Sequence, residues 1–471
     1  MERVVNLKKA STTTNNLASS FRDPSGFVFT HAGSIYRQVN KVYKSDYELL
    51  MKSGLYETLV GSNLLVSHEE VKTPAPTGDG WKTIKPKEIP LISYPYEWAF
   101  GMLKDAALTT LKIQKIAIEH GMSLKDASAF NIQFLGGAPI FIDTLSFEKY
   151  EEGKPWVAYK QFVEHFLTPL AVMRYGDVRL GRITSVFLDG IPVDIAASIL
   201  PTRARFNPSL LFHIFAHASS QKRYQDKKLD KNLRARRFSK QALLGLLGNL
   251  EGAVKSLKWS PAGTQWEDYY EEDKNNYKSA SMSHKAQLVE KFVKEVKAKT
   301  VWDMGANTGF FSRIAASTGA ATYAFDIDFG AVEKAWRLVR NESNPKILPL
   351  FSDLTNPTPA VGWLNKERLS LFERANADCV LALAIIHHLA ITNNTPFVSM
   401  AEAFAAMGKY LVVEYIDKQD SQVQILLNNR KDIFDKYTKA DFENAYKKFF
   451  TIVHSVAIKD SKRTLYLMKR K

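Results

Sequence analysis

The spacing of apolar positions changes several times along the chain. Residues 1–20 are polar and rich in Ser, Thr and Asn, which predicts a flexible N-terminus. Between 21 and 40, β-forming residues flank Gly33 and predict a hairpin. Tyr47, Leu50, Leu55 and Leu59 recur at helical spacing over 44–60. Residues 61–90 read as short strands around a loop marked by Pro74, Pro76, Gly78 and Gly80. A long amphipathic helix follows at about 96–120. Trp98, Met102, Ala106, Leu108, Leu111 and Ile116 form its buried side, and Gly121 stands at its C-terminal stop. Residues 155–200 return to helices, with Trp156, Tyr159, Phe162 and Phe166 on one face.

After a short helix at 243–257 the character changes. The segment from Trp266 to Tyr277 is acidic and aromatic, and it precedes a helix at 282–297. We place a domain boundary there, with Tyr277 a candidate to fold over a ligand and a plain linker the alternative. Beyond it, apolar runs alternate with amphipathic stretches. Predicted strands at 301–304, 321–328, 347–353, 378–386 and 410–414 are separated by helices, the pattern of a parallel sheet. The chain then divides into a flexible segment 1–20, an α+β domain 21–200, a basic helical connector 201–275 and an α/β domain 276–471.

The candidate chemistry centres on Asp303, Gly305, Asn307 and Gly309, a strand, tight turn and helix start. Such a turn presents free backbone N–H groups and a carboxylate at the mouth of a parallel sheet, where doubly wound folds bind nucleotide-like ligands. Asp326 ends the second predicted strand and Asp353 the third. The turn has no Lys-Ser/Thr pair, so it is not a phosphate-cradling Walker loop.

This succession resembles the class I S-adenosylmethionine-dependent methyltransferases over residues 276–471. The resemblance implies a Rossmann-like seven-stranded domain and S-adenosylmethionine as cofactor. It implies that Asp303 and Gly305 face the methionine part, Asp326 holds the ribose hydroxyls and Asp353 meets the adenine amino group. Asn307 replaces a usual glycine, a mild departure because Asn tolerates unusual backbone angles. The closing strands, 450–458 and 463–468, resemble the antiparallel pair that completes this sheet. Taken whole, the chain resembles bacterial two-part methyltransferases of the nodulation-protein NoeA type.

The fourth predicted strand runs into His387 and His388. Members that methylate amino groups carry an Asn/Asp-Pro-Pro-aromatic tetrapeptide that is missing here, so the resemblance implies an oxygen or carbon acceptor. For a hydroxyl acceptor, an imidazole near neutral pKa is the natural base, which makes His387 and His388 the catalytic candidates. The alternative is that they fix loop backbone. Glu414, at the end of the fifth strand, is expected to orient a histidine or bind substrate. Residues 362–368 read as a substrate-side insertion, and a helix over 420–430 as a lid bearing Arg430, with Lys431 beside it.

In the first half, Asp126, Asn131 and Asp143 are spaced like the catalytic loop and metal-binding acid of protein-kinase-like phosphotransferases. The departures are a missing glycine-rich loop, no recognisable strand lysine, and Thr144 where Phe-Gly would follow. These residues equally suit capping and turning of the chain. A degenerate kinase-like scaffold over 21–190 is therefore one reading of this half, and an active phosphotransferase its extension.

Composition narrows this picture little. The net charge of +15 comes from 64 basic and 49 acidic residues, densest around Arg234, Arg236 and Arg237. It permits an anionic small-molecule acceptor, and leaves nucleic acid a minority partner because the aromatics of 203–240 are too sparse for a stacking platform. The single cysteine, Cys379, gives no disulfide framework and fits a reducing cytoplasm. No run approaches the ~20 apolar residues a membrane span needs. Without CxxC or HExxH, no metal site is expected. The leading reading is a cytoplasmic S-adenosylmethionine-dependent methyltransferase. Its rivals are a bifunctional phosphotransferase and a non-catalytic protein that holds the cofactor or an anion.

Overall fold

The computed structural model describes residues 14–219, 239–261, 279–342, 346–428 and 431–471. The densest basic stretch at 234–237, the acidic stretch from Trp266 to Tyr277, and Arg430 lie outside them.

In the first half, strands β1 (Asn15–Asn16), β2 (Gly26–His31), β3 (Ser34–Asn40), β4 (His68–Val71) and β5 (Gly80–Pro86) form an antiparallel sheet in the order β1-β2-β3-β5-β4. The expected hairpin is β2-β3. Its two-residue turn puts Ala32 at φ 48 and Gly33 at φ 78, the left-handed conformations a tight hairpin needs. Helices Lys44–Lys52 and Leu55–Gly61 bury Tyr47, Leu50, Leu55 and Leu59, the spacing read from the sequence. The long helix is Phe100–Glu119, entered through a turn Pro95–Glu97, and Gly121 follows it at φ 74. Strand β6 (Met122–Leu124) pairs with β9 (Phe147–Lys149), and β7 (Ile132–Leu135) with β8 (Ala138–Phe141).

The second half is built on a seven-stranded sheet. It comprises β10 (Thr300–Met304), β11 (Ala321–Asp326), β12 (Ile347–Phe351), β13 (Ala377–Ala382), β14 (Gly408–Ile416), β15 (Phe450–Ala457) and β16 (Arg463–Arg470), in the order β12-β11-β10-β13-β14-β16-β15. The first five run parallel and β16 is antiparallel to both neighbours. Strands β10 and β13 are almost wholly buried, as central parallel strands covered on both faces must be. This is the Rossmann-like seven-stranded methyltransferase fold expected from the sequence.

The fourth strand is shorter than expected. It stops at Ala382, so His387 and His388 sit not on a strand end but in the helical turn after it. A continuous apolar run cannot by itself separate strand from buried helix. The break comes at Ala384, which takes φ 51 while its N–H donates to Glu414 Oε2 at 2.8 Å.

The halves pack through one continuous core. Phe134 stands edge-on to Trp98 and to Trp336, each at 5.1 Å between ring centroids, so its ring bridges both halves. Beside it, Asp105 accepts from Trp336 Nε1 and Arg340, and the backbone N–H of Gly101 donates to Glu333. Arg374 makes a buried ion pair with Glu97 across the junction.

Candidate active site

The site is assembled at the C-terminal tips of β10, β11 and β12. Parallel pairing aligns Met304 with Phe325 and Asp326 with Phe351, which brings the three tips to one edge. Past β10 the chain turns through Gly305 at φ 78 and Asn307 at φ 52. The N–H groups of Gly305 and Ala306 both donate to the Phe325 carbonyl, which clamps the turn onto β11. The φ of Gly305 favours glycine, and a Cβ there would stand 2.9 Å from Ile385 Cδ1, the movable tip of a side chain.

Asp326 is the organising acid. Its Oδ2 accepts from the Asn307 N–H at 2.7 Å and its Oδ1 from the Asp328 N–H at 2.8 Å. The Ile327 N–H also donates to it, so of the about four acceptor positions of a carboxylate about one remains for a further donor. Ile327 beside it is 54% exposed, an apolar face next to a carboxylate. Asp353 uses Oδ1 on Thr355 and stays half-buried at the third tip. Asp303 differs from the other two. It is 2% exposed and accepts from Ser312 Oγ at 2.6 Å, so it braces the turn from below. Burial pushes both Asp303 and Asp326 up to about 6.

Beneath the turn lies a cluster that sequence reasoning reached only in part. Glu414 is fully buried and binds Lys285 Nζ at 2.6 Å, the Ala384 N–H and Arg463. It does not orient either histidine through any of these bonds. Lys285 and Arg463 carried no signal in the sequence, because a lone Lys on a polar helix and an Arg opening a strand are ordinary surface residues. Their positions follow from tertiary packing. Lys285 also stands 4.5 Å above the Phe311 ring.

His387 and His388 have ring centroids 4.1 Å apart. Burial first, then His388, Arg463 and Lys285, holds His387 well below the usual imidazole range. Burial alone lowers His388 to about 4. Both are therefore neutral at neutral pH and weaker bases than the sequence reading supposed. Nδ1 of His387 is buried with no hydrogen-bond partner among the described residues.

The first half reaches this edge. The segment Val178–Ser185 packs on the turn Pro95–Glu97, and its Arg182 guanidinium lies 4.8 Å over the Phe351 ring at the tip of β12. Phe351 in turn stacks on Phe329 at 4.2 Å. The insertion at 362–368 is tied to the first half by Arg22, which binds Glu367 at 2.9 Å.

The kinase-like trio has a plainer arrangement. Asp143 pairs with Arg37 at 2.6 Å and accepts from the Leu145 N–H. Asp126 caps the Ser128 N–H, and Asn131 donates to Ser146 Oγ at 3.4 Å. Among the described residues no cluster of three or more His, Cys, Asp or Glu is placed to hold a metal ion. Asn131 also donates to Asp126, whose carboxyl feels the charge of Asp143, so the three stand together, but in turn and ion-pair contacts that give the kinase-like reading of this half no support. Nor is any described helix long and apolar enough to cross a membrane.

A seven-stranded sheet of this order, with acids on three adjacent tips beside a tight turn, defines a protein of the class I methyltransferase fold. No protein-family model matches the chain. The nodulation protein NoeA of Rhizobium meliloti (strain 1021) is 35% identical to it over 473 residues, covering 98% of each chain. The chain belongs to the NoeA family. Among solved structures, magnesium protoporphyrin IX methyltransferase from Synechocystis PCC 6803 matches 44% of this chain and 93% of its own at 16% identity, with a TM-score of 0.31. The N-methyltransferase NodS from Bradyrhizobium japonicum WM9 matches 41% of this chain and 97% of its own at 11% identity, also with a TM-score of 0.31.

Proposed function

We propose that this protein is an S-adenosylmethionine-dependent methyltransferase acting on the oxygen or carbon of a small-molecule acceptor. The observation that carries the reading is the spare acceptor capacity of Asp326, beside a turn whose backbone angle at Gly305 favours glycine. S-adenosylmethionine would supply an electrophilic methyl group on sulfur. Asp326 would accept from a ribose hydroxyl, Asp353 from the adenine amino group, and Ile327 would cover one face of the base. Gly305, Asn307 and Gly309 would give the methionine part close access to the main chain, with Asp303 holding the turn in shape.

His387 and His388 are the proposed proton acceptors for a hydroxyl nucleophile. Because both are neutral at working pH, each has a lone pair to offer without first losing a proton. Their low basicity makes the transfer costlier than with an ordinary imidazole, and burial beside the cationic Lys285 and Arg463 is the cause for His387. The first half is proposed to position the acceptor, with Arg182 at the rim favouring an anionic group.

Calorimetry with S-adenosylmethionine tests the reading. Binding by the intact protein that weakens in Asp326→Ala is expected. No binding, or undiminished binding by the variant, overturns it. The acceptor is sought by comparing metabolites of cells with and without the protein while following isotopically labelled methyl groups.

A further inference from the structure

A cavity of about 890 Å³ lies between the two halves. None of its walls comes from the tips of β10, β11 and β12. Its floor on one side is the helix Phe329–Asn341, which contributes Glu333 and Arg337. Asp328 caps that helix beside the methyl-transfer crevice, so Glu333 and Arg337 stand roughly 7–14 Å farther along its axis. On the other side are the long helix Phe100–Glu119 and the end of the helix Thr168–Tyr175. The cavity is thus a second place, walled by both halves.

Its charge is lopsided. Lys104, Arg174, Arg203, Lys258 and Arg337 face it against the acids Asp177 and Glu333. The acids are already engaged, Asp177 by Arg179 and Glu333 by Arg337 and the Gly101 N–H. Lys104 is spent on the carbonyls of Lys255 and Leu257, and Arg337 donates also to the Trp259 carbonyl. Arg174, Arg203 and Lys258 form no ion pair with a carboxylate among the described residues. Among the described residues Arg203 donates to the Tyr175 carbonyl, at 2.8 Å, and Arg174 lies 5.6 Å over the Tyr175 ring. Trp259, half-buried against Phe100 with ring centroids 6.3 Å apart, supplies a flat apolar wall beside these cations.

Three cations without carboxylates and an indole wall in one cavity fit a small anion carrying a ring. We infer that this cavity is a second ligand site, distinct from the methyl-transfer crevice, for a phosphorylated small molecule with a planar ring. Arg174, Arg203 and Lys258 hold the phosphate through charge-assisted bonds, and Trp259 lies along the ring. The groups that hold the ligand come from the first half, while Glu333 and Arg337 of the second half wall the cavity opposite them. Occupancy raises the stability of the chain by mass action.

The test uses the full chain with phenyl phosphate and inorganic phosphate as probes, followed by calorimetry and thermal unfolding. Phenyl phosphate is expected to bind more tightly than inorganic phosphate and to raise the unfolding temperature. In Arg174→Gln/Arg203→Gln, and separately in Lys258→Gln, its affinity is expected to fall at least about tenfold for the double and severalfold for the single variant. S-adenosylmethionine binding should be unchanged in both, and the exposed Lys258 guards against a variant that merely misfolds. No binding of either probe by the unaltered protein at millimolar concentration overturns the inference, as does equal binding by the variants. Displacement of phenyl phosphate by S-adenosylmethionine overturns the claim that the sites are separate.

Discussion

At the residue scale the decisive group is Asp326, which does two things at once. It fixes the turn through the backbone N–H groups of Asn307, Ile327 and Asp328 and keeps acceptor capacity for a ligand. Loss of a charge-assisted bond worth about 1.5–3 kcal/mol predicts that Asp326→Ala binds S-adenosylmethionine at least about tenfold more weakly by calorimetry. Burial raises its carboxyl from 3.8 to about 6. The folded state therefore keeps a proton that the unfolded state releases, and the cost of burial grows as pH rises from 3.8 to about 6. Relative to Asp326→Asn, the unaltered protein is expected to lose stability across that window, by about 3 kcal/mol at most. Unfolding midpoints of both proteins against pH check this, and parallel curves would refute it. Lys285 is the opposite case, a cation in the core whose removal takes from Glu414 the shortest of its contacts and leaves it Arg463 and the Ala384 N–H. Lys285→Met is expected to cost about 3–5 kcal/mol by denaturant unfolding, because a buried carboxylate loses its main partner. The acids Asp303, Asp326 and Asp353 were legible from their places at strand ends. Lys285 and Arg463 were not, since only packing of the helix Ser279–Glu295 and β16 against β14 brings them to Glu414.

At the scale of elements, the strand, turn and helix around Gly305 set what the edge of the sheet can admit. Adding a methyl there places it 2.9 Å from Ile385 Cδ1 and asks a residue with a side chain to hold φ 78. Such strain costs about 1–3 kcal/mol. Gly305→Ala is accordingly expected to lower the unfolding midpoint and to weaken cofactor binding together; a variant with full affinity would show that the turn can shift without consequence. The alternation of apolar strands and amphipathic helices made the five parallel strands readable, and the closing pair followed from resemblance. What failed was the end of β13. Its apolar run continues through Ile386, and nothing local distinguishes Ala382 from the residues after it. The stop is imposed by Glu414, which captures the Ala384 N–H from a neighbouring strand. Long-range capture of this kind leaves no periodic trace, so the sequence puts the histidines directly at a strand's end when they belong to the helical turn beyond it.

At the scale of the whole molecule the boundary placed before residue 276 divides the sequence more cleanly than it divides the structure. Trp98, Phe134 and Trp336 form one aromatic row across it. Glu97 is 1% exposed and receives, from the other half, both Arg374 and the Thr358 hydroxyl at 2.8 Å. Its other contact, the Tyr94 N–H, shapes the turn on which the Arg182 segment rests. One carboxylate thus joins the junction, the segment following Asp353 and the rim residue Arg182. Glu97→Ala leaves Arg374 buried without its partner, a loss of about 3–5 kcal/mol. If the halves were independent, that loss would appear in one of two thermal transitions and leave cofactor affinity alone. A shared core instead predicts a single calorimetric transition, shifted down in the variant, with affinity for S-adenosylmethionine reduced severalfold because Thr358 no longer anchors the chain beyond Asp353. Two transitions, or a destabilised variant that binds as tightly as the unaltered protein, would mean that the first half merely adjoins the methyl-transfer fold and does not shape it.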